Sequence, residues 1–120
     1  MKIKENNPPR VFGPLDDIQL KDCAHLVFSK DEQITIYSED NKSNDIVCKE
    51  WCFYLANSLN HRLKKQNYKI ALVASYASSP TRTYINLVDK SKMDIFNQYC
   101  KKYNAKVICW LDDFLSDDHH

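Results

Sequence analysis

Glycine is almost missing from this chain, and its scarcity limits the folds and sites that the sequence can form. Gly13 is the only glycine among 120 residues. Phosphate-binding loops of the P-loop and dinucleotide-binding kinds need several glycines at fixed spacing, so the sequence strongly disfavours them. Turns that need a positive φ must then rely on asparagine or aspartate. Asn67 and Asn104 are expected to end helices in this way.

Length and composition are typical of one globular domain, with 43% hydrophobic and 12% aromatic residues. The formal net charge of +1 gives no overall attraction to nucleic acid or to an anionic membrane. The cysteine count of 5 is odd, which favours free thiols in a reducing compartment. No apolar leader begins the sequence, and no run reaches the roughly 18 apolar residues of a membrane span. We therefore expect a cytoplasmic protein that does not bind membranes.

Residues 43–67 form the longest part of the chain with helical periodicity and without proline or glycine. At about 100° per residue, Trp51, Leu55 and Arg62 fall on the same third of a helical wheel as two cysteines. This pattern predicts a long amphipathic helix. Arg62 would lie on its apolar stripe, where a guanidinium must extend to solvent, pair with a carboxylate or bind an anion.

The remaining chain predicts two hairpins, a second helix and a last strand. Strands are expected at 24–29, 33–38, 68–76, 82–88 and 105–111, with the second helix from Asp89 or Ser91 to about Tyr103. The order is ββαββαβ, which indicates an α+β fold: a single-domain sandwich of a mixed sheet with two helices. The predicted layout is an extended N-terminal arm at 1–15, an α+β domain at 16–113, and an acidic, histidine-ended tail at 114–120.

One pattern runs through residues 51–73 at Trp51, Phe53, Tyr54, Ser58, Leu59, Asn60, Arg62, Leu63, Leu72 and Val73. With these residues the segment resembles the centre of a family of small uncharacterised bacterial proteins, often encoded among surface-polysaccharide genes. The family pattern is Trp-Gly-Phe-Tyr, three variable positions, Ser-Leu-Asn-x-Arg-Leu, and a strand ending in Leu-Val. The resemblance implies a bacterial protein in a surface-polysaccharide setting, and it supplies no established activity.

Two departures from that pattern leave a second segmentation open. Cys52 replaces the glycine, and Ala56-Asn57 replaces a Thr-Pro pair that suits the first turn of a helix. Residues 47–54 would then be extended, with Trp51 and Phe53 on one strand face, and the helix would begin near Asn57. Both segmentations remain open at this point.

The candidate ligand-binding residues are Trp51, Tyr54, Asn60, Arg62 and Arg82. The planar guanidinium of Arg62 suits a carboxylate or phosphate, and Arg82 follows a hairpin loop rich in hydroxyl groups. Cys48 and Cys52 have no zinc-site spacing and are interpreted as buried packing residues. The sequence therefore predicts no cofactor, no metal site and no catalytic residue.

The function predicted from these residues is a small cytosolic binding or accessory protein without catalysis of its own. It would act through a partner surface or a small-ligand pocket near Trp51 and Arg62. The expected partners are another protein, a second copy of the chain, or a small anionic or sugar ligand. Two alternatives remain: a small enzyme acting on a sugar or nucleotide-sugar, and a nucleic-acid-binding module, which the near-neutral charge disfavours.

Overall fold

The computed structural model describes residues 1–15 and 17–115, and this part of the chain has eight strands and one α-helix. The strands are β1 (Lys2–Leu15), β2 (Ile18–Val27), β3 (Gln33–Tyr37), β4 (Ser43–Cys48), β5 (Phe53–Leu55), β6 (Tyr68–Ser75), β7 (Arg82–Asp89) and β8 (Ala105–Trp110). The helix α1 is Met93–Lys102. The predicted α+β class is confirmed. Contacts divide the chain into two compact units, Met1–Ala56 and a second that begins at Asn57.

The first unit contains a long two-stranded ribbon and a three-stranded sheet. In the ribbon, β1 pairs antiparallel with β2, and the register shifts between Glu5 and Arg10. Pro8 and Pro9 lie in that interval, and proline has no amide hydrogen for a ladder bond, so the shift falls where pairing is weakest. The sheet has the order β3-β4-β5 and is antiparallel throughout.

The second unit is a three-stranded antiparallel sheet of order β7-β6-β8 with α1 packed against it. Its buried cluster comes from all three strands: Ala71, Val73, Val88 and Ala105. Met93, Phe96 and Cys100, spaced three and four residues apart on α1, pack against this cluster. The predicted second hairpin and second helix are therefore confirmed.

Asparagine and aspartate do make the turns that glycine would make elsewhere. Within the described ranges, the residues with positive φ are Asp31, Asn41, Asn67 and Asn104. Asn104 follows α1, as expected. Asn67 ends a short helical segment, with φ of 66°. The expectation from glycine scarcity is confirmed at both sites.

The first predicted helix, at 43–67, is wrong, and with it the order ββαββαβ. Its first half forms β4 and β5, and its second half forms a π-helical turn (Leu59–Leu63) with Ser58 as N-cap. The neighbouring β-branched pair Ile46-Val47 suits a strand better than a helix, and β3 supplies ladder partners on one side. The alternative segmentation was therefore right that Phe53 and Tyr54 are on a strand. It was wrong about Trp51, which lies in the turn 49–52 and not on a strand face with Phe53, and the helical turn begins at Leu59.

Two further expectations about the sheet are wrong. The predicted single mixed sheet is three antiparallel sheets within the described residues. The predicted strand 24–29 does not pair with 33–38, because β2 pairs with β1 and β3 pairs with β4.

Residues 2–15, predicted as an extended arm, form β1. The predicted tail lies outside the described residues from position 116 onward, and Phe114 ends a 3-10 turn, Leu111–Phe114.

Candidate functional site

The tight turn between β4 and β5 presents the most exposed aromatic side chains of the first unit. This aromatic turn comprises residues 49–52 and the adjoining Phe53. Trp51 is 80% exposed and Phe53 is 68% exposed. Exposure of two such large apolar side chains at one turn is unusual for a surface that remains in water.

Backbone hydrogen bonds close the base of the aromatic turn. The amide of Lys49 donates to the carbonyl of Cys52 at 2.8 Å. On the other side, the amide of Asp31 donates to the carbonyl of Cys48 at 2.8 Å, and the amide of Cys48 donates to the carbonyl of Glu32 at 3.0 Å. Since these three hydrogen bonds hold Lys49, Cys48 and Cys52, Trp51 projects from a closed base.

Charges strengthen this base. The Lys49 ammonium donates a hydrogen bond to the Asp31 carboxylate. That hydrogen bond, together with the negative charge of Asp31, raises the pKa of Lys49 above its ordinary value. The backbone amide of Ser29 hydrogen-bonds to Glu32 and thereby lowers the pKa of that carboxyl. Lys49 and Glu32 are therefore both charged at neutral pH.

The sheet beneath the turn has one apolar face, which continues from Phe53. Directly paired residues of antiparallel strands share a face, and the pairs Ile34–Ile46, Ile46–Leu55 and Cys48–Phe53 all lie on this side. The ring of Phe28 lies 5.5 Å from that of Phe53, with the two planes tilted by 50°. Phe53 is thus supported from below while most of its surface faces solvent.

The predicted ligand residues do not share one element. Trp51 lies in the aromatic turn and Tyr54 is on β5, both in the first unit. Asn60 and Arg62 lie in the π-helical turn and Arg82 begins β7, all in the second unit. All five side chains are exposed.

The predicted placement of Arg62 on an apolar stripe beside Trp51 is wrong. That stripe required the long helix, whereas Trp51 lies in a turn between strands. The amide of Arg62 donates to the Ser58 hydroxyl at 3.3 Å, and its side chain is exposed. Arg62 was expected to bind an anion because its guanidinium would lie among apolar side chains. The structure does not place it there, so this reason no longer applies.

A cleft of about 580 Å³ lies in the ribbon, at the register shift between β1 and β2. Sequence reasoning missed it. Its lining includes Glu5, Arg10, Asp22 and His25. The Asp22 carboxylate accepts from Arg10 at 3.5 Å and contacts Nε2 of His25 at 3.3 Å. The signal available in the sequence was Pro8-Pro9 inside a strand, which marks a break in the ladder.

The cysteines are free thiols, one exposed (Cys23), one buried (Cys48) and three half-buried (Cys52, Cys100 and Cys109). Over residues 1–15 and 17–115, no group of three or more His, Cys, Asp or Glu side chains is arranged to hold a metal ion. None of the helices in these ranges has the length and apolar character that a membrane crossing needs.

Compared with protein-family models, curated proteins and solved structures, the chain matches none of them.

Proposed function

We propose that this chain is a protein-binding accessory module that performs no catalysis of its own and docks through the aromatic turn. The observation that supports it best is Trp51, 80% exposed on a turn closed by backbone hydrogen bonds. The few residues that dominate the binding energy at protein interfaces are enriched in tryptophan, tyrosine and arginine. A rigid turn loses little conformational entropy when such a residue is buried, which improves affinity.

The chemistry around the turn indicates the kind of partner. Phe53 is a second exposed aromatic residue two positions after Trp51, while Lys49 and Glu50 precede Trp51 with one charge of each sign. An apolar centre with a charged rim is the usual composition of a protein interface. The proposed partner is therefore a protein that offers an apolar pocket for the indole of Trp51. By the sequence resemblance, the proposed setting is the cytoplasm of a bacterium that assembles surface polysaccharide.

The test is site-specific photo-crosslinking in cells from a benzophenone amino acid at position 51. Position 37 is the matched control, because Tyr37 is also exposed and aromatic but lies on the sheet face opposite to that of Phe53. We expect one protein to crosslink from position 51 and not from position 37.

The crosslinked protein is then purified and its affinity measured by calorimetry. We expect Trp51→Ala to weaken binding by at least tenfold, since truncating a central aromatic anchor typically has an effect of this size. Phe53→Ala should weaken it by a smaller factor. Equal affinity of wild-type protein and Trp51→Ala, or equal crosslinking from both positions, would overturn the proposal.

A further inference from the structure

The ribbon of β1 and β2 has two chemically different faces. Directly paired residues share a face, so the register defines both. One face, here called the apolar ribbon face, carries mainly apolar side chains with a charged centre: Ile3, Glu5, Arg10, Phe12, Ile18, Leu20, Asp22, Ala24 and Leu26. The other face is basic and mixed: Lys2, Lys4, Val11, Lys21, Cys23, His25 and Val27.

Large side chains of the apolar ribbon face are exposed in the part of the chain that the structure describes. Ile3 is 59% exposed, and Leu20 and Leu26 are 47% and 43% exposed. A two-stranded ribbon is at best marginally stable in water, and an antiparallel sheet with one apolar face normally packs that face against another layer. The ribbon thus has the pattern of one layer of a sandwich whose second layer is not supplied by the described residues of its own unit.

The order of residues along this face is self-complementary. An apolar pair, Phe12 and Leu20, lies near the tip, and another, Ile3 and Leu26, lies at the base. Between them, Arg10 lies on the tip side of the register shift and Glu5 on the base side. Both charged residues are on β1.

We propose that a second copy of this chain covers the apolar ribbon face, in a two-fold symmetric dimer. The proposed two-fold axis lies in the plane of the interface, runs perpendicular to the strands and passes between Asp22 and Ala24. Rotation about this axis reverses the strand direction and places β1 of one copy over β1 of the other. Phe12 then faces Ile3 of the second copy, and Leu20 faces its Leu26. The same operation places Arg10 over Glu5 of the second copy, twice in each dimer. Isologous interfaces require this kind of self-complementarity.

Contacts within one ribbon agree with this arrangement. The Arg10 guanidinium lies 4.8 Å from the centre of the Phe12 ring and 3.5 Å from the Asp22 carboxylate, so it is held on the apolar side. Glu5, Arg10 and Asp22 line the cleft at the register shift together with Lys4 and His25 of the basic face, and Nε2 of His25 contacts the Asp22 carboxylate at 3.3 Å. The cleft leaves space at the proposed axis for a charged side chain of the second copy. The basic face would remain in water.

The size of the ribbon limits the expected affinity of the dimer. A face about ten residues long and two strands wide covers roughly 33 Å by 10 Å. That is smaller than the roughly 800 Å² per partner of a standard interface. We therefore expect a reversible dimer with a dissociation constant of about 10–100 μM. This dimer uses a different surface from the aromatic turn, so either proposal can fail without the other.

Sedimentation velocity of the full chain from about 5 to 500 μM tests the dimer. We expect the weight-average mass to rise from one copy toward two across this range. Leu20→Lys should abolish the rise. Val11→Lys, the same apolar-to-lysine change on the basic face, should leave it unchanged, and circular dichroism of both variants checks that the fold is retained.

Charge exchange identifies the proposed pairing. Glu5→Arg and Arg10→Glu should each weaken self-association at least tenfold, because like charges then meet at both sites. An equimolar mixture of the two variants should associate, since opposite charges face each other again at both sites. A monomer at every concentration, a dimer insensitive to Leu20→Lys, or a mixture no better associated than its components would overturn the proposal.

Discussion

The backbone amide of Ile70 donates a hydrogen bond of 2.8 Å to the side-chain carboxylate of Asp112, across 42 residues of chain. Ile70 is 2% exposed and lies on the central strand β6. The ladder between β6 and β8 ends with Ala71 opposite Trp110. Asp112, in the 3-10 turn that follows β8, thus adds one bond beyond the last backbone pair and fixes this end of the sheet.

Replacing Asp112 by alanine should destabilise the second unit. A hydrogen bond from a half-buried amide to a charged acceptor contributes about 1.5–3 kcal/mol, so Asp112→Ala should lower the free energy of unfolding by about that amount. Asp112→Asn keeps an acceptor oxygen and should lose less. Urea unfolding followed by Trp fluorescence measures both. The neighbouring, exposed Asp113→Ala is the control, and equal losses at both positions would contradict this role for Asp112.

Asn67 provides a test of the turns that replace glycine. Its φ is 66°, and its carbonyl accepts from the amide of Lys90 at 2.9 Å. Alanine is strained by about 1–2 kcal/mol in this conformation, whereas glycine is not. Asn67→Ala should therefore lower the unfolding free energy by about 1 kcal/mol, and Asn67→Gly should change it by less than about 0.5 kcal/mol.

The control for Asn67 is Asn97→Ala, at an exposed position of α1. Alanine is the better helix former, so this change should be neutral or slightly stabilising. If Asn67→Ala and Asn97→Ala change the free energy of unfolding equally, the positive φ at Asn67 does not affect stability.

The second unit could be predicted from sequence because each element has a strong local signal. The apolar run 70–74 indicates a covered strand, Ser79-Pro80 marks a turn, and Asp89 indicates the helix start, where its side chain accepts from the amide of Ser91. These signals depend only on neighbours in sequence. The β6–β7 hairpin also follows from the pairing of neighbouring strands, whereas the pairing of β8 with β6 is long-range and could not be predicted from these signals.

The first unit could not be predicted in the same way, because long-range pairing decides its structure. Pro8 and Pro9 argued against regular structure, yet β1 retains its pairing with β2 on both sides of them. Trp51 suited a helical wheel by chance, since any short stretch with several apolar residues fills part of one. The candidate site followed from that error, because Arg62 was placed beside Trp51 on a helix that does not form.

Two large apolar residues within 43–67 differ in solvent exposure and should therefore differ in their contribution to stability. Trp51 is 80% exposed, whereas Leu63 is fully buried at 0%. Trp51→Ala should change the unfolding free energy by less than about 0.5 kcal/mol. Leu63→Ala leaves a cavity and should cost about 2–5 kcal/mol. Urea unfolding followed by circular dichroism compares them, and a large loss for Trp51→Ala would mean that this residue packs within the fold and does not serve a partner.

Thiol reactivity should follow burial among the five cysteines. Cys100 packs against the core of the second unit, and desolvation raises its pKa above the ordinary value of 9.0. Since the thiolate is the nucleophile, a raised pKa leaves less of it at pH 8, and its reaction should accelerate as the pH approaches that pKa. Cys23 is exposed on the ribbon. We expect iodoacetamide at pH 8 to alkylate Cys23 at least about tenfold faster than Cys100, as followed by peptide mass spectrometry. In urea the two rates should converge, because unfolding removes the burial. Equal rates in the native protein would show that Cys100 is open to solvent and that α1 does not hold it against the sheet.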